Sequence, residues 1–231
     1  MKNNIVITSF AWKMAERVLL QGLAVVVQVI LARLLMPSDF AAVALINAVI
    51  HYLGLFVQSG LSTVVVQKKE LDNKDISTLM TYSLCTATLL YISIFFLAPL
   101  LSNYYNVGDL ILPIRVAALS LFLYSFNSIQ TGILSRQMRF RTIFFLSIVA
   151  MPIAAVIAIT MAFCGMGIWA LICNTLLNIL LTVIIMNTMP ELRIKLGFSF
   201  IRFKQLFSFS GKILLTTLIS GGGDTLRTLV I

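Results

Sequence analysis

Long apolar segments that hold almost no charge recur along this chain of 231 residues. A helix crosses a bilayer with about 20 mostly apolar residues, because each residue adds about 1.5 Å and the hydrocarbon layer is about 30 Å thick. Six segments are long and apolar enough, and they run over residues 12–35, 40–61, 77–97, 112–134, 143–163 and 167–186. The sequence therefore predicts an all-α fold, a polytopic membrane bundle of six spanning helices with the start of a seventh.

The composition is typical of a protein whose main solvent is lipid. Hydrophobic residues make up 60% of the chain and charged residues only 11%, whereas a soluble domain carries roughly 25% charged residues. The net charge of +9 is spread over short segments between the apolar blocks, so we expect no nucleic-acid partner. The three cysteines, Cys85, Cys164 and Cys173, fit no metal or redox spacing and are expected to be buried small apolar side chains.

Prolines and glycines mark several helix ends. Pro37 is expected to end the first crossing, with Ser38 and Asp39 as candidate N-caps of the second, and Pro99 is expected to follow the third. The turn at residues 165–167 predicts a helical hairpin of the fifth and sixth crossings. The fifth crossing is almost wholly apolar around Pro152, and we expect much of its surface to face lipid.

The basic residues of the loops predict the orientation, because cytoplasmic loops carry more Lys and Arg than loops on the other side. With the N-terminus in the cytoplasm, only Arg33 and Arg115 fall outside, while Arg17 and Arg227 lie at membrane depth. Most of the 17 basic residues then lie on the cytoplasmic side: Lys2, Lys13, Lys68, Lys69, Lys74, Arg136, Arg139, Arg141, Arg193, Lys195, Arg202, Lys204 and Lys212. The N-terminus is therefore predicted to be inside.

The domain organisation follows from these crossings. Residues 1–190 are predicted to form one transmembrane lobe, residues 191–205 a basic cytoplasmic linker, and residues 206–231 the start of a seventh helix. The last segment ends in mid-helix with no polar flank, so we expect the chain to be a fragment that stops inside its seventh crossing. The similarity of residues 9–13 to residues 208–212 indicates a six-helix repeat, as transporters often have.

Polar side chains form stripes on the first two crossings. Residues at spacings of 4, 3 and 4 share one helix face, and two such sets occur: Arg17, Gln21, Ala24 and Gln28, then Asn47, His51, Gly54 and Gln58. Similar tracks follow on the fourth and sixth crossings: Ser120, Tyr124, Asn127, Thr131 and Ser135, then Asn174, Asn178 and Thr182. Such stripes either hold helices together by hydrogen bonds or line a wet cavity, here between the first, second and seventh crossings.

The candidate substrate-binding residues come from these stripes and from the seventh segment: Arg17, Gln21, Gln28, Asn47, His51, Gln58, Asp224 and Arg227. For Arg17 the alternative is that it extends to the cytoplasmic headgroups, with Glu16 doing the same. His51 either couples transport to protons or is a neutral packing residue. Asp224 and Arg227 either neutralise each other or contact an ion or substrate.

The sequence offers no route to soluble-type catalysis. It has no phosphate-binding loop of the Gly-x-x-x-x-Gly-Lys type, and its single histidine and dispersed acids cannot form a metal cluster or a nucleophile triad. We therefore expect no enzyme activity, no cofactor and no metal.

Several local strings carry a family resemblance. Residues 30–40, ILARLLMPSDF, resemble the "LAR-L-x-P-x-x-F/Y-G" stretch of bacterial polysaccharide and lipid-linked oligosaccharide flippases, which belong to the multidrug, oligosaccharidyl-lipid and polysaccharide exporter superfamily. Ala41 stands where that family usually has glycine. Residues 58–61 and 66–69 are similar to the end of its second crossing, and residues 135–140 to its loop after the fourth helix. Residues 208–210 and 224–231 are similar to the opening of its seventh helix. The resemblance implies that this chain is the N-terminal lobe of a two-lobe transporter.

The resemblance also implies a function. The implied function is to move an oligosaccharide, joined to a polyprenyl diphosphate, from the inner to the outer face of the bacterial cytoplasmic membrane by alternating access. The oligosaccharide would be a precursor of O-antigen, lipopolysaccharide, capsule or exopolysaccharide. Arg17 would attract the diphosphate, and Gln21, Gln28, Asn47 and Gln58 would bind sugar. Implied partners are membrane lipids, a proton or sodium as coupling ion, and polysaccharide polymerase or assembly proteins. The alternatives are a multidrug or cation exporter, a membrane-embedded sugar polymerase or ligase, and an inactive truncated remnant.

Overall fold

The computed structural model describes residues 2–58, 61–68, 71–105, 110–194 and 197–199, with side chains described for residues 12–58, 62–66, 68, 71–103, 110–194 and 197–199. All regular structure in this part is helical. The α-helices are α1 (Lys2–Leu34), α2 (Pro37–Gln58), α3 (Leu61–Gln67), α4 (Asn73–Tyr105), α5 (Ile111–Ala118), α6 (Ser120–Arg136), α7 (Phe140–Phe163) and α8 (Ile168–Thr188), and a 3-10 turn (Pro190–Leu192) follows.

Six crossings are confirmed by the length and apolarity of the helices. The stretches that can span a membrane are Trp12–Leu34, Pro37–Val66, Asn73–Asn103, Ile111–Arg136, Phe140–Phe163 and Ile168–Thr188. The second is shared by α2 and α3, and the fourth by α5 and α6. The chain is therefore a multi-pass membrane protein, and the predicted all-α bundle is confirmed. The expected seventh helix at residues 206–231 lies outside the described residues.

The start of α2 and the end of α4 differ from the prediction. Pro37 is the first residue of α2 rather than the end of the first crossing. The first residue of a helix needs no N–H, because that N–H has no acceptor within the helix, so proline fits this position. Ser38 and Asp39 consequently lie inside the first turn of α2, and neither is its N-cap. Pro99 lies inside α4, which continues to Tyr105.

The predicted hairpin of α7 and α8 is confirmed, and these two helices pack closely against each other. Its turn uses Gly165 at φ 75° and Gly167 at φ 51°, where a side chain would be strained. The Met166 N–H donates to the Met161 carbonyl at 3.1 Å, which closes the end of α7.

Helix α7 is only partly exposed to lipid. Its small residues Ala150, Ala154 and Ala158 are spaced by four, are fully buried, and form one stripe inside the bundle. Larger side chains such as Phe145, Val149 and Val156 are exposed on the other side. Much of the surface of the fifth crossing is therefore exposed, as expected, while its alanine face is buried in the bundle, where α7 contacts α1 and α8.

Helix α6 lies at the centre and contacts α2, α3, α4 and α8. Gly132 allows the closest approach, since a Cβ there would lie 3.1 Å from the Ser62 Cα on α3. The buried Gln130 donates from Nε2 to the Asn187 side chain at 2.8 Å and to the Leu192 carbonyl at 3.2 Å. These bonds tie α6 to α8 and to the 3-10 turn.

Basic side chains gather at the end of the bundle where α1 begins, which we call the basic end. The Arg136 guanidinium donates to the Val65 carbonyl at 2.9 Å and to the Lys68 carbonyl, where α3 ends. Lys68 pairs at 2.6 Å with Asp75, whose side chain is buried. Arg139 forms an ion pair with Glu191, and both side chains are exposed. These contacts fasten α3, α4 and α6 to one another.

The expectation of buried cysteines is wrong for two of the three. Cys85 on α4 and Cys164 in the α7–α8 turn are exposed, and Cys173 on α8 is half-buried. In a membrane an apolar thiol can face lipid without penalty, so apolar surroundings in the sequence do not imply burial in the protein.

Candidate functional site

A pocket of about 350 Å³ opens between α1 and α2, with α7 and α8 at its back; we call it the Gln28 pocket. It exists because α1 packs mainly on α7 rather than on its neighbour in sequence. Its polar lining consists of Gln28 from α1, Asn47 from α2, and Asn174 and Thr175 from α8. The rest of its wall is apolar: Ala24, Val27, Leu31, Phe40, Val43, Ala44, Met151 and Leu171.

The amide groups of the Gln28 pocket are available for a ligand. Within the part of the chain that the structure describes, the side chains of Gln28, Asn47 and Asn174 make no hydrogen bond to protein. Thr175 donates its hydroxyl proton to the Leu171 carbonyl at 3.3 Å, so the hydroxyl oxygen can still accept. The pocket thus offers donors and acceptors but no charge, which suits a neutral polyol such as a sugar.

His51 lies in a smaller pocket of about 180 Å³ beside the first one, between α2, α5, α6 and α8. Asn47 and Thr175 line both pockets, so the two are neighbours. Tyr124 and Ser120 from α6 also line this smaller pocket, and the Ser120 hydroxyl donates to the Ala117 carbonyl at 2.7 Å. The fourth-crossing stripe therefore meets the second-crossing stripe here.

A third pocket, of about 260 Å³, lies toward the basic end between α1, α6, α7 and α8; we call it the Glu16 pocket. Glu16 is only 8% exposed and accepts a hydrogen bond from the Lys13 ammonium at 2.8 Å. Polar side chains from three other helices complete the lining: Asn127, Thr131, Ser147, Asn178 and Thr182. Met151 borders this pocket as well as the Gln28 pocket, so the two lie one above the other.

Sequence reasoning missed Glu16 as a site residue. One of the two interpretations of Arg17 has both residues extending to the headgroups, but Arg17 is exposed while Glu16 is buried. Adjacent residues on a helix point about 100° apart, so the two cannot share one environment. The spacing of Lys13, Glu16 and Leu20 by three and four residues is the signal that could have placed Glu16 on the inner face.

The remaining candidates are placed as follows. Gln21 is exposed on α1, and neither it nor Arg17 lines the Gln28 or the Glu16 pocket. Gln58 is half-buried at the end of α2. One turn before it, Gly54 packs against Tyr124, since a Cβ at Gly54 would lie 3.3 Å from the Tyr124 ring. Asp224 and Arg227 lie outside the described residues.

The structure brings Gln28 and Asn47 to one pocket with Asn174 from the sixth crossing, whereas the seventh crossing of the predicted cavity lies outside the described residues. Among the described residues, no group of three or more His, Cys, Asp or Glu side chains is arranged to hold a metal ion. The Gln28 pocket is lined in its polar part by amides and a hydroxyl, the neighbouring small pocket adds His51, and the Glu16 pocket adds the Lys13–Glu16 ion pair.

Comparison with known proteins gives these pockets a family context. The succinoglycan biosynthesis transport protein ExoT of Rhizobium meliloti (strain 1021) is 26% identical over 169 residues, which cover 73% of this chain and 34% of that protein. The chain thus spans about a third of the length of this relative. No solved structure matches the chain. The family described as "Polysaccharide biosynthesis protein" matches residues 30–231, so the chain belongs to this family of polysaccharide biosynthesis membrane proteins.

Proposed function

We propose that this chain is one lobe of a flippase that moves lipid-linked oligosaccharide precursors of surface polysaccharide across the bacterial cytoplasmic membrane. Family membership and a relative named as a transport protein support a polysaccharide-related transporter. The observation that carries the finer proposal is the Gln28 pocket, because its amides come from three helices and are free to bind sugar hydroxyls.

The proposed orientation has the basic end in the cytoplasm, since the loops there hold most Lys and Arg. A diphosphate arriving from the inner leaflet would first meet the exposed cations of this end, and Arg17 lies one turn further into the membrane on the exposed face of α1. The polyprenyl tail would remain in lipid while the sugar enters the cleft between α1 and α2. A second lobe, facing the exposed sides of these helices, would complete the cavity.

Movement of the substrate would follow alternating access, in which two lobes rock about a central binding region. The Gln28 pocket lies toward the end of the bundle opposite the basic end, because Leu31, Phe40 and Leu171 in its wall are each three residues from a helix end. In the proposed orientation this end faces outward, so the inward-open state would have to open the cleft down to the pocket. No bond of the substrate is made or broken in this step, so the pocket needs hydrogen-bonding groups rather than catalytic ones.

The test replaces the pocket amides in cells that depend on this protein for surface polysaccharide. Gln28→Ala and Asn47→Ala should each slow the appearance of polymer about 2–10-fold, the loss expected for one neutral hydrogen bond of about 0.5–1.5 kcal/mol. The double variant should be slower than either single variant. Gln137→Ala, an exposed amide in the turn before α7, is the matched control and should leave the rate unchanged.

Equal membrane expression of all variants is measured in the same cells. Gln21→Ala separates two forms of the proposal: a slower rate would extend the binding region along the exposed stripe of α1, and an unchanged rate would confine it to the pocket. Polymer production at the wild-type rate by the Gln28 and Asn47 double variant would refute the pocket assignment.

A further inference from the structure

A groove of about 370 Å³ lies between α7 and α8 on the surface of the bundle; we call it the Arg141 groove. Its α7 residues Arg141, Phe145 and Val149 follow one another at spacings of four, so they form one stripe along the helix. Leu146, which is only 4% exposed, forms the floor. The remaining lining residues are Thr142 from α7 and Ile185 and Met189 from α8. The groove is therefore apolar except at the end that holds Arg141 and Thr142.

The Arg141 groove lies on the opposite side of α7 from the Glu16 pocket. Ser147 lines that pocket, whereas Phe145 and Val149 each stand two residues away from it, which is about 200° around an α-helix. Both side chains are 47% exposed and lie in the spanning stretch Phe140–Phe163. A hydrocarbon chain that fills the groove is thus separated by α7 from the polar pockets.

Arg141 places a permanent positive charge at one end of the groove. It is the second residue of α7 and lies at the basic end, at the level where a spanning helix reaches the lipid headgroups. Its guanidinium lies over the rings of Trp12 and Phe145, at 5.6 Å and 5.7 Å from their centroids. These contacts hold the guanidinium in place without neutralising it. Among the side chains that the structure describes, no carboxylate forms an ion pair with Arg141.

The chemistry of the groove selects one class of ligand. A guanidinium can donate two parallel hydrogen bonds to a phosphate, and the start of α7 favours an anion because its first N–H groups have no acceptor within the helix. The apolar stripe that follows Arg141 into the membrane requires a hydrocarbon chain attached to that anion. A phosphate and a chain on one molecule describe a phospholipid. A headgroup with its own ammonium would be repelled by Arg141, so a net negative headgroup fits best.

We propose that the Arg141 groove binds one anionic glycerophospholipid, with its phosphate on Arg141 and an acyl chain along Phe145 and Val149 against Leu146. This lipid is a specific ligand of one face of the bundle, and it differs in this respect from the bulk lipid that surrounds the other exposed helices. The inference rests on the α7–α8 groove alone, and it needs neither the proposed transport function nor a second lobe.

Trp12 is a local fluorescent probe of this site, since its ring centroid lies 6.0 Å from that of Phe145. The other tryptophan, Trp169, lies at the end of α8 remote from Ile185, and Trp169→Phe leaves Trp12 as the single fluorophore. The purified chain with this substitution is reconstituted into bilayers of phosphatidylglycerol and phosphatidylcholine. One or the other lipid carries brominated acyl chains, which quench tryptophan fluorescence on contact. We expect phosphatidylglycerol to bind beside Trp12 about fivefold more strongly than phosphatidylcholine.

The charge of Arg141 is tested in the same single-tryptophan background. Arg141→Gln should remove the preference for phosphatidylglycerol, whereas Arg141→Lys should keep it, because the lysine retains the positive charge. Arg139→Gln is the matched control: it removes the same charge two residues away, from an exposed side chain that pairs with Glu191 and does not line the groove. This control should keep the preference.

Two results would overturn the site: equal quenching by the two lipids beside Trp12, or a preference that survives Arg141→Gln. Unbrominated polyprenyl phosphate, added in equimolar amount to the protein, distinguishes the other candidate occupant. If it restores the fluorescence of Trp12, the groove holds an isoprenoid chain and the phospholipid assignment is wrong. The polymer yield of the Gln28 and Asn47 variants in cells has no influence on this quenching, so the two proposals fail separately.

Discussion

Gly132 is the position at which packing of this bundle can be tested most directly. Gly132→Ala places a Cβ 3.1 Å from the Ser62 Cα, 3.2 Å from the Val65 Cβ and 3.3 Å from the Ser62 carbonyl oxygen. Carbon atoms pack best at about 3.5–4.0 Å, so α3 would have to move away by a few tenths of an ångström. Two of the three atoms belong to backbone, which cannot rotate out of the way as a side chain could.

The magnitude follows from two opposing effects. Overpacking at such a contact costs about 1–3 kcal/mol, whereas replacing glycine by alanine inside a helix gains up to about 1 kcal/mol. Gly22→Ala on α1 isolates the second effect, because a Cβ at Gly22 meets nothing within 4 Å. The difference between the two variants therefore measures the clash alone, and we expect Gly132→Ala to be about 1–3 kcal/mol less stable than Gly22→Ala.

The assay is reversible unfolding of each purified variant in mixed micelles by titration with a denaturing detergent, followed by tryptophan fluorescence. Of the two tryptophans, Trp169 lies in α8, which carries neither substitution, and Trp12 lies in α1 ten residues before Gly22. Equal stability of the two variants would refute the close packing of α3 on α6, and with it the placement of the second crossing against the fourth.

Three further predictions concern the ends of the bundle. Arg136→Lys loses one of the two guanidinium bonds to the carbonyls at the end of α3, and the same titration should show a loss of about 1–3 kcal/mol. Asp75→Asn, in a buried pair, should cost about 1–3 kcal/mol, whereas Glu191→Gln, in an exposed pair, should cost less than about 1 kcal/mol; equal losses would contradict the burial. A variant whose one cysteine is Cys164 should react with a membrane-impermeant maleimide in intact cells. A variant whose one cysteine comes from Met138→Cys should not react, because Met138 lies at the basic end. The reverse pattern would contradict a cytoplasmic N-terminus.

The crossings could be predicted because length and apolarity are local properties of a segment. The fifth crossing ends at Phe163 as expected, and the sixth begins one residue after the predicted Gly167. The prediction failed where a helix continues beyond the hydrocarbon layer, as α4 does past Pro99. Hydropathy marks where lipid contact ends, and backbone hydrogen bonding can continue into the interface.

The packing of helices could not be predicted from the same pattern. In water an apolar stripe shows which face is buried, but in lipid the exposed face is as apolar as the inner one. Small residues are the better guide: Ala150, Ala154 and Ala158 lie on the buried side of α7, opposite the exposed Val149 and Val156. The contact of α1 with α7, although α2 follows α1 in sequence, is a tertiary property that the apolar pattern does not show.

The candidate site was partly visible in the sequence. Spacings of three and four placed Gln28 and Asn47 on the polar stripes of their helices, and the structure brings both, as exposed residues, to one open pocket. The sequence could not show that Asn174, rather than Asn178, lines the pocket with Gln28 and Asn47. The position of α8 relative to α1 along the membrane normal depends on tertiary packing. The two asparagines are one turn apart and line different pockets.

Helix α7 connects these two pockets although it contributes few polar groups to either. Met151 borders both, and it is followed by Pro152, which has no N–H to donate to the Ile148 carbonyl. One turn of α7 therefore lacks a backbone hydrogen bond at the height where the pockets meet. A helix without a polar stripe can thus form a wall shared by two polar sites. Polar periodicity alone does not reveal such a helix.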